Sequence, residues 1–129
     1  MSNHGEFCWY ELGTNDLDSC LDFYSGVFGW EIKKSDNPDT GMDYREIKLG
    51  GGDFFGGMYQ MSKEMFGETL PPSSWINYIA VEDVDAAGKK VKELGGKLVS
   101  HFIDIPNVGR MCVAEDPTGA KFALITLTH

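Results

Sequence analysis

Basic residues are scarce in this sequence, which has 11 Lys and Arg against 20 Asp and Glu and a formal net charge of −9. Nucleic-acid binding needs clustered cations against phosphates, so the composition argues against a nucleic-acid partner. It argues equally against an anionic membrane surface. No stretch approaches the roughly 18 apolar residues that span a bilayer. The start, MSNHGEF, lacks the basic and apolar segments of a signal peptide. We therefore expect neither a nucleic-acid nor a membrane partner.

Cysteine is also scarce, with three residues in 129. Cys8, Cys20 and Cys112 form no CxxC pair and have apolar neighbours in predicted strands and a predicted helix. This odd number without a metal or disulfide spacing predicts buried, reduced thiols and a cytoplasmic protein. A reactive thiol is the alternative.

The three histidines form no H-x-x-x-H or E-x-x-H spacing, and no Ser/His/Asp arrangement is evident. His4 and His129 lie near the ends of the chain, where side chains are often poorly ordered. His101 is predicted on the sixth strand near Phe102. It could line a cleft, or it could be an ordinary structural residue.

What the sequence does contain is an internal duplication. Asp16-Leu-Asp and Asp83-Val-Asp lie 67 residues apart, and each follows an apolar strand pattern and opens a helical one. The same offset relates Leu12 to Ile79 and Phe55 to Phe122. A repeat of element types predicts a repeated architecture. We therefore predict two βαβββ modules, about 5–60 and 75–129, joined by a linker at 61–74 within a single domain.

Hydrophobic periodicity places the elements within each module. In the first module, Asn15 or Asp16 can cap a helix that ends at Gly29, and residues 35–41 form a turn-rich loop. The predicted strands are 7–14, 30–34, 44–49 and 54–60 in the first module, and 75–81, 97–103, 109–114 and 121–127 in the second. Helical spacing predicts two buried stripes: Leu17, Cys20, Leu21, Tyr24 and Phe28, then Val84, Ala87, Val91 and Leu94. Neither module has enough apolar surface alone, so the fold class is α+β, with both modules in one curved mixed sheet and helices outside.

Three segments give the chain a resemblance to a known family: TNDLDSCLDFYSGVFGWEI (14–32), VEDVDAAGKKVKELGGKLV (81–99) and VGRMCVAEDPTGAKFAL (108–124). Together they resemble the vicinal oxygen chelate superfamily, which includes glyoxalase I, extradiol dioxygenases, and fosfomycin- and bleomycin-resistance proteins. The resemblance implies that the sheet encloses a cleft, in which the metalloenzymes of the family hold a divalent ion. It also implies a homodimer, the family's commonest way of closing that cleft.

The resemblance also indicates where metal ligands would stand. They are typically His, Gln or Glu on the first strand of each module and Glu on the last strand. The corresponding positions here are Trp9, Ile76 and Ala123, with Gly56 as the repeat-mate of Ala123. None of these side chains offers a lone pair to a metal. We therefore predict that the usual metal site is missing and that the protein has no metal cofactor.

Glu11 is the candidate catalytic residue. It lies two residues after Trp9, so both side chains leave the strand on the same side. In an aromatic cleft, Glu11 could act as a general base or accept a proton from a ligand amine. The alternative is a structural carboxylate that binds backbone groups or pairs with Arg45 or Arg110.

Aromatic and Met residues are frequent on the predicted strands, and period-two alternation sends about half of them to the concave side. Such a surface suits a planar or apolar small molecule, although a second subunit could cover it instead. The predicted ligand-binding residues are Trp9, Trp75, Asn77, Met58, His101 and Arg110.

Two main hypotheses follow. The first is a glyoxalase/bleomycin-resistance-like protein that binds a small organic molecule without a metal. The second is a metal-dependent lyase, isomerase or dioxygenase that uses displaced ligands such as Glu11, His101 and Asn77. A third possibility is a stand-alone relative of longer proteins with tandem modules and an unassigned role. The ligand's identity does not follow from the sequence.

Overall fold

A computed structural model describes residues 3–35 and 43–128. The predicted loop at 35–41 lies outside the described residues except for Ser35. Twelve elements are assigned in the described part of the chain. They are β1 (Phe7–Thr14), α1 (Leu17–Phe28), β2 (Glu31–Lys34), β3 (Tyr44–Lys48), β4 (Phe54–Gln60), α2 (Lys63–Phe66), β5 (Ser74–Ala80), α3 (Val84–Glu93), β6 (Lys97–Leu98), β7 (Ile103–Ile105), β8 (Gly109–Glu115) and β9 (Lys121–Leu127).

Both long helices begin at the repeated aspartates. The Oδ1 atom of Asp16 accepts from the Ser19 amide, and Asp83 accepts from the amides of Asp85 and Ala86. These bonds satisfy N–H groups that a helix leaves unpaired in its first turn. Of the two predicted caps, Asp16 is therefore the one used. The helix α1 ends at Gly29, which has the left-handed φ of 70° that favours glycine.

Residues from Tyr10 to Trp75 form one compact unit. Its strand order is β2-β3-β4-β1, antiparallel except for the parallel pair β1 and β4. The β1–β4 register sets Leu12 opposite Met58 and Glu11 opposite Gly57. Leu12, Met58 and Ile47 form a buried core with Leu17 of α1, and Cys20, Leu21 and Tyr24 pack against it.

The N-terminal residues through Trp9 and the chain from Ile76 onward form the second compact unit. Its strand order is β5-β9-β8-β6, with β7 also pairing with β8, and β5 and β9 are parallel. The amide of Gly5 donates to the Ala80 carbonyl at 2.7 Å, and the Ala80 amide donates to Glu6 at 2.8 Å. These bonds attach the first residues of the chain to the second module's β5.

The two units repeat one arrangement, because β1, α1, β2, β3 and β4 correspond in order and pairing to β5, α3, β6, β8 and β9. The predicted α+β class and the two βαβββ modules are thereby confirmed. The linker prediction did not include α2, which Ser62 caps by accepting from the Met65 amide.

The predicted strand 97–103 is wrong in extent. It is interrupted after Leu98, so that β6 and β7 are separate short strands. The side chain of Ser100 accepts from the Val113 amide at 2.8 Å, replacing a ladder bond that the backbone of a regular strand would make. His101 therefore lies in a connection, not on a strand.

Two predicted core positions are also wrong. Phe28 and Leu94 are 57% and 69% exposed. Both lie at the ends of their helices, Phe28 as the last residue of α1 and Leu94 as the cap of α3. Helical spacing predicts the direction of a side chain but not whether the partner surface extends that far.

Met58 was predicted to bind a ligand, and this assignment is corrected by its burial. Its side chain is fully buried on the α1 side of β4. Met58→Ala should lower the free energy of unfolding by about 2 to 5 kcal/mol, because it leaves a cavity in a packed core. Met65→Ala is the matched control, since Met65 is 41% exposed. Equal effects of both variants in chemical denaturation would contradict the core role of Met58.

Candidate functional site on the first module

The candidate site lies on the face of the first module turned away from α1. Leu12, Ile47 and Met58 point toward α1. Because side chains alternate along a strand, their neighbours point the other way. Two rows of residues, each running across β3, β4 and β1, line this α1-distal face. The first row is Glu46, Gly57 and Glu11, and the second is Tyr44, Tyr59 and Gly13.

A hydrogen bond joins the two rows. The Tyr44 hydroxyl donates to Oε1 of Glu11 at 2.8 Å. The Tyr44 and Tyr59 rings are stacked at 12°, with centroids 6.4 Å apart. Glu11, Tyr44 and Tyr59 are all half-buried. A charge-assisted bond of this kind holds the carboxylate in one orientation.

Two glycines make room for the phenols. A Cβ atom on Gly57 would overlap the Tyr44 hydroxyl, so Tyr44 reaches Glu11 only across a residue without a side chain. A Cβ on Gly13 would lie 3.0 Å from the Tyr59 hydroxyl oxygen. The glycines therefore determine the position of both rings above the sheet.

Burial and the nearby Glu11 carboxylate raise the pKa of Tyr59 to about 12. Both causes disfavour the phenolate, since a buried anion loses hydration and a neighbouring anion repels it. Tyr59 thus remains a neutral hydroxyl at physiological pH, able to donate as well as accept a hydrogen bond.

The same face of the second module has a different chemistry. The strand registers show which positions of the two modules correspond. The pair Tyr78 and Ala123 corresponds to Glu11 and Gly57. The pair Met111 and Ile125 corresponds to Tyr44 and Tyr59. The residues equivalent to the candidate site form an apolar cluster: Tyr78, Met111, Ala123 and Ile125. The duplication has therefore kept the backbone arrangement, while the position of Glu11 in the first module is taken by Tyr78 in the second.

The family positions for metal ligands lie in this apolar cluster, where Trp9 and Ile76 pack beside Ala123. The register also corrects the repeat-mate of Ala123. It is Gly57, 66 residues earlier, and not Gly56. The correction does not restore a ligand, because an indole, two aliphatic side chains and a glycine supply no lone pair. These residues do not fit a metal ion at the family's position.

Trp75 belongs to an aromatic cluster beside α1. Its Nε1 atom donates to the Tyr24 hydroxyl at 3.1 Å, and its ring meets Trp30 edge-on with centroids 6.0 Å apart. Phe28 and Phe55 also contact Trp30. The structure therefore places Trp75 with the residues of α1, and not with Glu11 on the α1-distal face.

Asn77 and His101 are both exposed. Alternation along β5 directs Asn77 away from Ile76 and Tyr78, which belong to the apolar cluster. Within residues 3–35 and 43–128, no three His, Cys, Asp or Glu side chains are grouped in a way that could hold a metal ion.

Arg110 was predicted to line the concave side, and this assignment is corrected. Its guanidinium binds both carboxylate oxygens of Asp85 on α3 at 3.0 and 3.1 Å and one of Asp104 at 3.0 Å. Arg110 thus lies on the α3 side of β8, together with Phe102, whose ring is 5.0 Å away. It attaches the start of α3 to the sheet, and its hydrogen bonds, aided by its charge, lower the pKa of Asp85.

Sequence reasoning predicted a role for Glu11 but assigned none to the phenols and glycines that the structure places around it. The sequence predicts Tyr44 and Tyr59 as aromatic residues on strands. Alternation alone does not decide which face of the sheet each side chain takes. The available signal was the pair of glycines, Gly13 and Gly57, since glycine within a strand often marks a close approach.

Gly57→Ala should displace the Tyr44 hydroxyl and lower the free energy of unfolding by about 1.5 to 3 kcal/mol, the range for a hydrogen bond to a charged group. Gly26→Ala is the control, because a Cβ there meets open space on α1 and should be neutral or stabilising. In a double-mutant cycle by urea denaturation, Gly57→Ala and Tyr44→Phe should be non-additive. Full additivity would show that the glycine does not act through Tyr44.

Comparison with solved structures identifies the fold. Methylmalonyl-CoA epimerase from Streptomyces coelicolor, in complex with 2-nitronate-propionyl-CoA, superposes with a TM-score of 0.67 at 15% identity, covering 98% of this chain and 100% of that chain. The Mn(II)-bound glyoxalase from Novosphingobium aromaticivorans gives a TM-score of 0.62 at 20% identity, covering 98% of this chain and 40% of that one. At these identities the likeness shows the fold alone, and it confirms the predicted vicinal oxygen chelate architecture.

Sequence comparison gives nearer relatives. CFP32 of Mycobacterium tuberculosis, a glyoxylase by its provisional name, is 36% identical over 125 residues, which are 97% of this chain and 45% of CFP32. The anthracycline biosynthesis protein DnrV of Streptomyces peucetius is 30% identical over 131 residues, 93% of this chain and 46% of DnrV. The chain thus spans a little under half the length of these relatives. The family model matches residues 7–124, and the chain belongs to the Glyoxalase/Bleomycin resistance protein/Dioxygenase superfamily.

Proposed function

We propose that this glyoxalase/bleomycin-resistance-like protein binds a small organic molecule on the α1-distal face of its first module, without a metal ion. The observation that carries the proposal is the Glu11 carboxylate held by Tyr44 above Gly57. In the first module, Gly57 lies at the position that corresponds to the family's last-strand metal ligand. The hydrogen-bonded side chains of Tyr44 and Glu11 therefore occupy the space that a ligating side chain would need. The unsuitable residues at the family's metal positions support the same conclusion.

The face offers complementary chemistry for an organic ligand. Glu11 supplies an acceptor, Tyr59 a neutral donor, and the two phenol rings an apolar surface for a planar group. In any reaction on this face, Glu11 is the group we propose to take a proton. Trp75, Asn77, His101 and Arg110 have no part in this proposed site, and Trp9 serves to fill the former metal position.

The alternative function is a metal-dependent lyase, isomerase or dioxygenase. It would require ligands displaced to positions such as Glu11, His101 and Asn77. The relationship to CFP32 and DnrV does not decide between the two, because the chain spans under half of each. Metal and organic ligands must therefore be tested side by side.

The test is thermal denaturation of the EDTA-treated full chain against a panel of planar aromatic probes, including an anthracycline, and against Mn, Ni, Zn and Fe(II) salts. A ligand that binds the folded state raises the melting temperature in a saturable way. We expect stabilisation by aromatic probes in EDTA and at least a tenfold weaker affinity in Glu11→Gln. Glu93→Gln, an exposed carboxylate on α3, is the control. Stabilisation by a metal alone, or by nothing in either panel, would overturn the proposal.

We also propose that two copies of the chain associate through the exposed side of α1. Phe23, Val27 and Phe28 are each 57 or 58% exposed there. A second copy suits this surface because the first relatives are about twice as long as the chain. Light scattering should give a dimer for the wild type and a monomer for Phe23→Lys with Val27→Lys. Monomeric wild type at micromolar concentration would contradict the proposal.

A cytoplasmic location is proposed on the chemistry of the thiols. Cys8, Cys20 and Cys112 are free in the structure, and burial raises the pKa of Cys8 and Cys112. Thiols that resist ionisation react slowly and are suited to a reducing compartment.

For the membrane question, none of the helices found in residues 3–35 and 43–128 has the length and apolar content to cross a bilayer.

A further inference from the structure

A groove on the second module lies between α3 and the segment from Leu98 to Phe102. It is open to solvent and has a volume of about 400 Å³, which is within the usual range for small-molecule sites. Its apolar side is formed by Leu98 and Phe102, which are both half-buried. Its polar side is formed by Lys89 and Lys92 of α3. The groove therefore offers an apolar surface beside two amines.

Close packing fixes the apolar side of the groove. Gly88 lies inside α3, where glycine is unfavourable for a helix. A Cβ atom at Gly88 would lie 2.8 Å from Cζ of Phe102 and 3.5 Å from Cδ1 of Leu98, so the Phe102 ring packs directly against the helix. Cζ of Arg110 lies 5.0 Å from the centroid of the same ring. These contacts need no ligand, and the groove is therefore preformed.

The lysines give the groove a charge opposite to that of the whole chain. Lys89 and Lys92 are exposed and three residues apart on α3, so their side chains are neighbours on the helix surface. Among the residues that the structure describes, neither lysine amine forms an ion pair. Asp85 also lines the groove, but both of its carboxylate oxygens are bound to Arg110. The polar side of the groove is thus cationic.

We propose that this groove binds a small organic anion. Its carboxylate contacts Lys89 and Lys92, whose ammonium groups are hydrogen-bond donors of opposite charge. Its apolar ring lies on Phe102 and Leu98, which supply an aromatic and an aliphatic surface. This inference does not rest on the proposed function, because the groove belongs to the second module and the α1-distal face to the first.

Three probes of one shape separate charge from shape: 2-naphthoate, 2-naphthylmethanol and 2-naphthylmethylammonium. Each is titrated into the isotopically labelled full chain at neutral pH, and its Kd is measured from the NMR shifts of the Lys89, Lys92 and Phe102 amides. Non-specific attraction to a chain of net charge −9 would favour the ammonium and disfavour the carboxylate. The groove predicts the reverse order. The naphthoate Kd should be at least about threefold lower than that of the alcohol, a modest ratio because exposed ion pairs are weak.

Charge removal tests the two lysines directly. Lys89→Gln with Lys92→Gln should raise the naphthoate Kd to within about twofold of that of the alcohol, while the Kd of the alcohol stays unchanged, because only the ion pairs are lost. Lys90→Gln with Lys121→Gln is the matched control. It removes the same charge from exposed positions of the second module that do not line the groove, and should leave the ratio of Kd values unchanged.

The outcomes that would overturn the inference are distinct. One is naphthoate binding at these amides no tighter than the alcohol in the wild type, and another is an equal rise of the naphthoate Kd in both pairs of variants. Saturable shifts confined to the amides around Glu11 would overturn the groove and leave the proposed function standing.

Discussion

The parallel register between β1 and β4 is the constraint on which the first module depends. It sets Leu12 against Met58 on one face and Glu11 against Gly57 on the other. A shift of one residue would bury Glu11 under α1 and expose the core to solvent. Since the core and the site share the same two strands, the packing that stabilises the module also holds Glu11 in place beneath the Tyr44 hydroxyl. The backbone of the candidate site is thus positioned by the core, and the Tyr44 hydrogen bond then orients the Glu11 side chain.

The duplicated module shows how one backbone can carry two kinds of surface. Both halves have the same strand order, and both long helices begin at a capping aspartate. The side chains on the helix-distal faces then diverge, with a carboxylate and two phenols in the first module and an apolar cluster in the second. Trp9, Ile76 and Ala123 contribute to the apolar cluster by filling positions that hold metal ligands elsewhere in the superfamily. At these positions the side chains contribute to packing and offer no lone pair for metal coordination.

Much of the architecture could be predicted, because strong local signals coincide with the duplication. Asp16, Asp83 and Gly29 mark helix ends through hydrogen bonding and backbone conformation that depend on near neighbours in sequence. The interruption after Leu98 could not be predicted, since it depends on the Ser100 side chain meeting the Val113 amide across the sheet. Leu94 likewise continues the apolar stripe of α3, yet it is 69% exposed.

The sequence by itself determined the α+β class, the two modules, the family and the lack of metal-donating side chains at the expected positions. Each of these follows from residue identity and spacing along the chain. Only the tertiary structure decided that Met58 lies in the core and Arg110 on the α3 side, and that Tyr44 bonds to Glu11 above Gly57. These outcomes depend on which face of a strand each residue takes and on what lies across the sheet. The physical reason is that alternation gives only two choices at each strand residue, and strand pairing between distant parts of the chain makes the choice.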